Sequence, residues 1–169
     1  MKASTFKFIM NLYPPYWGTG ISVRAIAKDY RYLKVEMRQR WYNRNYVNTH
    51  FGGSLYAMVD PFYMLMLTPI LGNDYVVWDK AATIDFIKPG RGTMTAEFSI
   101  TEAMVTDIIE QTAAGDKYLP HYQVLILDEQ GETVAKVNKL MYIRKKRSSH
   151  AHSRESIDNG NGRNAPQGR

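Results

Sequence analysis

The sequence predicts an α+β domain in which a strongly curved antiparallel sheet of about six strands wraps one long central helix. Three observations carry this expectation. Residues Ser54 to Thr68 run for some fifteen positions as an apolar stretch without period two, which fits a helix that must be covered on all sides. Met94, Ala96, Phe98 and Ile100 alternate strictly with polar residues, the mark of a half-buried strand, and the pattern recurs in other segments. Turn signals rich in Gly, Asp and Pro separate these segments. A chain of 169 residues with 44% hydrophobic side chains can bury one sizeable core, whereas two domains of half that length would each be marginal.

Taken in order, residues 4 to 12 predict a short helix with Ser4 as N-cap and Phe8, Ile9 and Leu12 sharing a face, stopped by Pro14-Pro15. The segments V-R-A-I-A-K, from Val23, and L-K-V-E-M-R-Q-R-W, from Leu33, read as strands with Asp29-Tyr30 turning between them. The long apolar helix follows Thr49 to Gly53. Pro61 should kink it by removing a backbone donor and crowding the carbonyl of Ala57. Leu71-Gly72-Asn73 closes it, as a C-terminal glycine commonly does. A strand over Tyr75 to Lys88 ends in the turn K-P-G-R-G, which leads into the strand T-M-T-A-E-F-S-I-T. Residues 103 to 114 form a connecting helix or ordered loop, and Tyr122 to Leu127 with Thr133 to Ile143 make a hairpin around D-E-Q-G-E.

The folded domain is expected to span residues 1 to 147, with 148 to 169 a basic, polar, disordered tail. The net charge of +6 is uneven, because residues 144 to 169 hold seven basic and two acidic side chains. The body is therefore close to neutral, so the pI of 9.4 does not point to specific nucleic-acid binding by a folded face. There is no Cys, which excludes disulfides and thiolate chemistry. The four histidines are scattered at positions 50, 121, 150 and 152, so no metal site is expected. No secretory-signal stretch opens the chain, and Leu55 to Leu67 falls short of the roughly 20 residues that span a bilayer. The expectation is a cytoplasmic protein without a membrane span. Phosphate-loop, dinucleotide-binding and nucleophile-elbow motifs are missing.

Residues 44 to 64, R-N-Y-V-N-T-H-F-G-G-S-L-Y-A-M-V-D-P-F-Y-M, resemble the hotdog acyl-CoA thioesterase-like superfamily, in which a Gly-Gly step opens the central helix and an acidic residue follows inside it. Together with V-W-D-K-A-A-T-I-D-F-I-K-P-G-R-G, residues 77 to 92, the segment is similar to an uncharacterised bacterial branch of that superfamily. The likeness covers residues 1 to about 146. It implies the hotdog fold, a homodimer or tetramer, and hydrolysis of acyl thioesters, with a coenzyme A thioester as substrate and no bound cofactor.

Elementary chemistry points to the same place. A helix start offers unpaired N–H groups, and glycine lets a ligand approach them closely. Gly52 and Gly53 either form an oxyanion hole, worth about 2.7 to 4 kcal/mol per donor in a transition state, or let the helix start pack tightly on the sheet. Asp60 lies seven residues after Gly53, two turns along one helix face, and burial among Val59, Pro61, Phe62 and Tyr63 should raise its basicity. By the resemblance it activates water or attacks the thioester, commonly across a subunit interface; otherwise it caps or salt-bridges at such an interface. Asn45, by the resemblance, positions the water or the carbonyl, and Asn48 shares that role; each could equally be a turn residue. His50 is displaced from the His-Gly-Gly pattern, with Phe51 standing before Gly52; it is within reach of a substrate, but is expected first of all to cap the helix start. Phe51, Tyr56 and Tyr63 are expected to line a substrate groove, with Lys88, Arg91 and the run Arg144 to Arg147 available to phosphates. Asp79, Asp85 and Glu97 are expected to face solvent or a neighbouring strand. The competing function is a non-catalytic hotdog protein that uses the same groove to bind an acyl chain or a protein.

Overall fold

Alternation of apolar and polar side chains sets the sheet. In the computed structural model, which describes residues 1–146, the chain runs α1 (Ala3–Leu12), α2 (Pro14–Thr19), β1 (Ile21–Ile26), β2 (Tyr32–Arg38), α3 (Gly52–Ala57), α4 (Phe62–Leu71), β3 (Tyr75–Phe86), β4 (Thr93–Ser99), α5 (Glu102–Gln111), β5 (Lys117–Tyr118), β6 (His121–Leu127) and β7 (Thr133–Lys145). The expected tail, the domain boundary at 147 and Arg147 lie outside the described residues.

All the pairings are antiparallel, and the sheet order is β1-β2-β4-β6-β7-β3, with the short β5 pairing β7 beyond the end of β6. The sheet has seven strands where the sequence suggested about six, because the two-residue β5 is too short to show a period. The turn after β3 makes no hairpin. It carries the chain across the sheet to β4, which lies between β2 and β6, while β3 returns to the far edge against β7.

The inner face is built from Leu33, Val35 and Met37 of β2, Met94, Ala96 and Phe98 of β4, and Val124 and Ile126 of β6, all closed to solvent. Against it lie Leu55, Met58, Val59, Phe62, Met66 and Leu67 of the central segment. Phe62 and Tyr63 each sit 5.3 Å from the Phe98 ring, which ties the helix to the middle of the sheet.

The central segment is two helices. Pro61 does more than kink it: α3 stops at Ala57, four residues turn, and Pro61 becomes the N-cap of α4, whose Leu65 amide donates to the Pro61 carbonyl at 2.9 Å. A proline supplies no N–H to continue α3, yet its fixed φ suits the start of the next helix. Gly72 closes α4 as expected, with its N–H on Thr68 O at 3.0 Å. By length and composition the twenty residues from Gly52 to Leu71 could cross a bilayer, which corrects the shorter expectation. In the fold the segment is broken at Asp60 and laid on the sheet.

The N-terminus departs from expectation in two ways. Lys2 holds the N-cap position in place of Ser4, with no side-chain cap, and α1 turns Ala3, Phe6 and Met10 to the core, leaving Phe8 65% exposed and Ile9 and Leu12 half-exposed. Asn11 decides the rotation: its amide accepts from Val23 N at 2.7 Å and donates to Val23 O at 3.1 Å, satisfying the edge of β1. Pro14-Pro15 also start a helix, α2, at the first-turn positions proline tolerates.

Candidate active site

Two features meet on the central segment. The first is a cleft of about 570 Å³ at the start of α3, lined by Asn45, His50, Gly52, Leu55, Phe86, Ile87, Lys88 and Arg91 among others. The end of β3 and the K-P-G-R-G turn form its far wall. Gly52 and Gly53 occupy the first turn of α3, where amides have no carbonyl one turn back to bond. A Cβ on Gly52 would come 3.0 Å from the Phe86 ring, so close packing is also a reason for that glycine.

Several expected ligands of the cleft are otherwise occupied. The Asn45 amide donates to Thr49 Oγ1 at 2.8 Å and His50 O at 3.2 Å, and accepts from Val47 N and Thr49 N. It builds the loop 45–49, which is the turn role. Asn48 is exposed in the left-handed region at φ 59°, and its carbonyl accepts from Gln39 and Arg91. Lys88 is ion-paired with Asp128 at 2.7 Å and with Glu132, yet still borders the cleft, as does Arg91. Phe51 is exposed.

His50 does not cap the helix. The N-cap is Phe51, without a side-chain cap, and the imidazole is only 3% exposed, its Nε2–H donating to Gly92 O at 2.9 Å. His50 N bonds Gly90 O at 2.9 Å, so this residue holds the K-P-G-R-G turn at its middle and its last residue. Burial draws its pKa below the ordinary 6.5, against a smaller opposing effect of the Gly92 bond. Nδ1 is buried with no partner among the described residues.

The second feature is the surroundings of Asp60. Counting along one helix puts Asp60 on the face of the glycines, but the break at 58–61 cancels that phase. Asp60 is not among the residues lining the cleft. Its side chain is 47% exposed and meets Lys139 of β7 at 3.2 Å from Oδ1, so it is no isolated carboxylate in apolar surroundings. The Lys139 ammonium, fully enclosed, also donates to the Asp60 main-chain carbonyl at 2.5 Å and lies 3.0 Å from Asp79 Oδ1. Tyr56 lies under the ammonium, its ring centroid 5.4 Å from Nζ. Burial, then the hydrogen bond to Asp60 and the charges of Asp60 and Asp79, push the Tyr56 hydroxyl well above the ordinary phenol range. Tyr16 is raised likewise, first by burial and then by the Asp60 charge, and its hydroxyl has no partner among the described residues.

Asp79 therefore faces inward toward β7, while Glu97 pairs with Lys34 at 2.9 Å on the outer side. Burial pushes the Asp79 carboxyl up, and Lys139 pulls it part of the way back. Tyr63 belongs to the aromatic core, edge-on to Phe98 and tilted against Tyr122, and so lines no open groove. Lys139 is the residue that the sequence reading passed over. Its signal was its place in the inward row Ala135, Val137, Lys139, Met141, Ile143, a cation in a file of apolar side chains. Among the described residues no cluster of His, Asp and Glu could hold a metal ion.

Residues 2–143 match a family described as a domain of unknown function, DUF4442. No curated protein matches the chain. Among solved structures, a protein of unknown function from Pseudomonas aeruginosa described as a probable thioesterase is similar at TM-score 0.75 and 16% identity, over 86% of this chain and 97% of that one. A protein of unknown function from Chlorobaculum tepidum is similar at TM-score 0.67 and 16% identity, over 85% and 94%. A thioesterase from Haemophilus influenzae is similar at TM-score 0.63 and 12% identity, over 89% and 95%. At these identities the likeness shows the fold, which is the hotdog fold.

Proposed function

Because the chain belongs to the DUF4442 family and carries the hotdog fold, we propose that it is a thioesterase-like hydrolase acting on an acyl thioester, with coenzyme A as the carrier. The observation that carries this reading is Asp60. It is a half-exposed carboxylate at the break of the central segment, tied to an enclosed ammonium whose other carboxylate partner, Asp79, sits on the open edge strand β3. The cleft supplies the complementary half: Leu55, Phe86 and Ile87 suit an acyl chain, and Lys88 and Arg91 at its border suit phosphates.

In this reading two copies pair along β3, which runs from Asp79 to the cleft wall at Phe86, so that Asp60 of one copy serves the cleft of the other. The Gly52 and Gly53 amides polarise the thioester carbonyl. Asp60 takes a proton from water as its oxygen bonds to the carbonyl carbon. The C–S bond then breaks, the sulfur leaves as a thiol carrying that proton, and the acid is released. Asp60→Asn should keep the fold, checked by circular dichroism, and lower hydrolysis across a panel of acyl-CoA lengths by about 10²- to 10⁴-fold. Undiminished turnover removes Asp60 from the reaction.

One observation favours the binding reading instead. Phe51 stands where the related pattern has histidine, and the His50 ring is turned to Gly92. Mass spectrometry of the purified protein separates the two: a retained acyl ligand with no hydrolysis supports binding, and hydrolysis without a retained ligand supports the enzyme.

A further inference from the structure

We propose that Lys139 is the positioning residue of this site, a clamp that holds Asp60 by its main chain and its carboxylate together, with Asp79 as the counter-charge that lets the clamp exist in the core. The proposal rests on the thioester-hydrolase reading of Asp60.

Lys139 stands in the inward row of β7 between Val137 and Met141, with none of its side chain open to solvent. An ammonium in such a place is costly unless it is paired and hydrogen-bonded on every side, and an apolar residue of similar size is often as stable or more so. A lysine here therefore calls for a reason beyond packing. Around it lie the Asp60 carbonyl at 2.5 Å, Asp60 Oδ1 at 3.2 Å, Asp79 Oδ1 at 3.0 Å and the Tyr56 ring at 5.4 Å. Its hydrogen bonds go to the two Asp60 oxygens, while Asp79 Oδ1 faces it as an ion-pair partner without a hydrogen bond.

The sheet is locally rebuilt to allow this. Asp79 pairs with Met141 and Ala81 with Leu140, so Lys80 is an extra residue in β3, a bulge. A bulge re-aims the side chains beside it. Asp79 before it and Ala82 after it, the latter opposite Lys139 in the register, both fall on the inward face. Without the extra residue, one of the two would point outward.

Asp79 alone would make a closed, neutral pair with Lys139. Asp60 adds a second carboxylate that is half open to solvent and anchored through both its carbonyl and one carboxylate oxygen. The charged and titratable groups facing it are Lys139 from β7, Asp79 from β3, Tyr56 from α3 and Tyr16 from α2. That arrangement fixes the direction of a reactive oxygen at the break between α3 and α4, where the backbone alone would leave it loose.

The test is the double variant K139M/D79N in the full chain, which removes the ammonium without stranding a buried carboxylate. With the acyl-CoA that the wild type turns over best, kcat should fall about 10²-fold with KM little changed, the signature of a displaced reacting group. If this variant does not fold, K139Q/D79N, which keeps polar side chains at both positions, replaces it with the same expected loss. A crystal structure of the variant is the readout that does not depend on activity: Asp60 should leave its wild-type position or occupy several. Unchanged kcat, or an Asp60 still in its wild-type position, overturns the clamp. A wild type that hydrolyses no thioester instead overturns the reaction, while the position of Asp60 in the two crystal structures still judges the clamp.

Discussion

His50 shows how a single side chain takes its chemistry from its enclosure. Its ring is buried, Nε2 is committed to the Gly92 carbonyl, and Nδ1 has no partner among the described residues. Because burial lowers its pKa below 6.5, the unfolded chain binds a proton more readily than the folded one as the pH falls. Stability from this group is whole above the ordinary histidine value and is lost as the pH falls from there through the lower value of the folded state. Thermal unfolding followed from neutral to acidic pH should show the midpoint falling, and His50→Gln should flatten that part of the slope; an identical slope would mean that other groups carry it. Residue type and spacing made Gly52, Gly53 and Asp60 legible as candidates. They could not reveal that Asn45 spends its amide on Thr49 and His50, because that depends on how the loop closes.

At the scale of elements, the alternating strands were readable because period two reports one buried face directly. The central segment was harder to read, since apolarity on all sides carries no phase and a proline marks a break without fixing its size. The rotation of α1 is not legible in the sequence because that helix has two apolar faces, and the bonds of its Asn11 to Val23 of β1 select which is buried. The end of α4 is a local feature that the sequence did signal. Gly72 sits at φ 79° and ψ −175°, a region open essentially to glycine alone, so Gly72→Ala should destabilise by roughly 1 to 3 kcal/mol even though a Cβ there meets nothing. Urea denaturation measures this, and an unchanged midpoint would show that the turn relaxes freely.

For the molecule as a whole, the long edge strand is the feature that asks for a partner. β3 runs twelve residues with β7 on one side and nothing of the described chain on the other, and Trp78 and Phe86 on it are largely exposed. Long open edges are normally covered, because their unpaired amides and carbonyls pair readily with another chain. The expected outcome is a dimer mass by light scattering and slow hydrogen exchange at the β3 amides that do not face β7. A monomer with fast exchange along that edge would remove the shared-site reading.

Composition, alternation and the Gly-Gly-to-Asp spacing determined the fold class, the order of nearly all the elements and the stretch of chain where chemistry could occur, because each is a local or periodic property. Tertiary structure decided the rest: that β3 crosses to the far edge, that Asp60 turns from the cleft to Lys139, and that Asp79 turns inward. The physical reason is that an ion pair spanning residues 60, 79 and 139 exists only once β3 and β7 lie side by side beneath the broken helix. No spacing along the chain encodes that meeting.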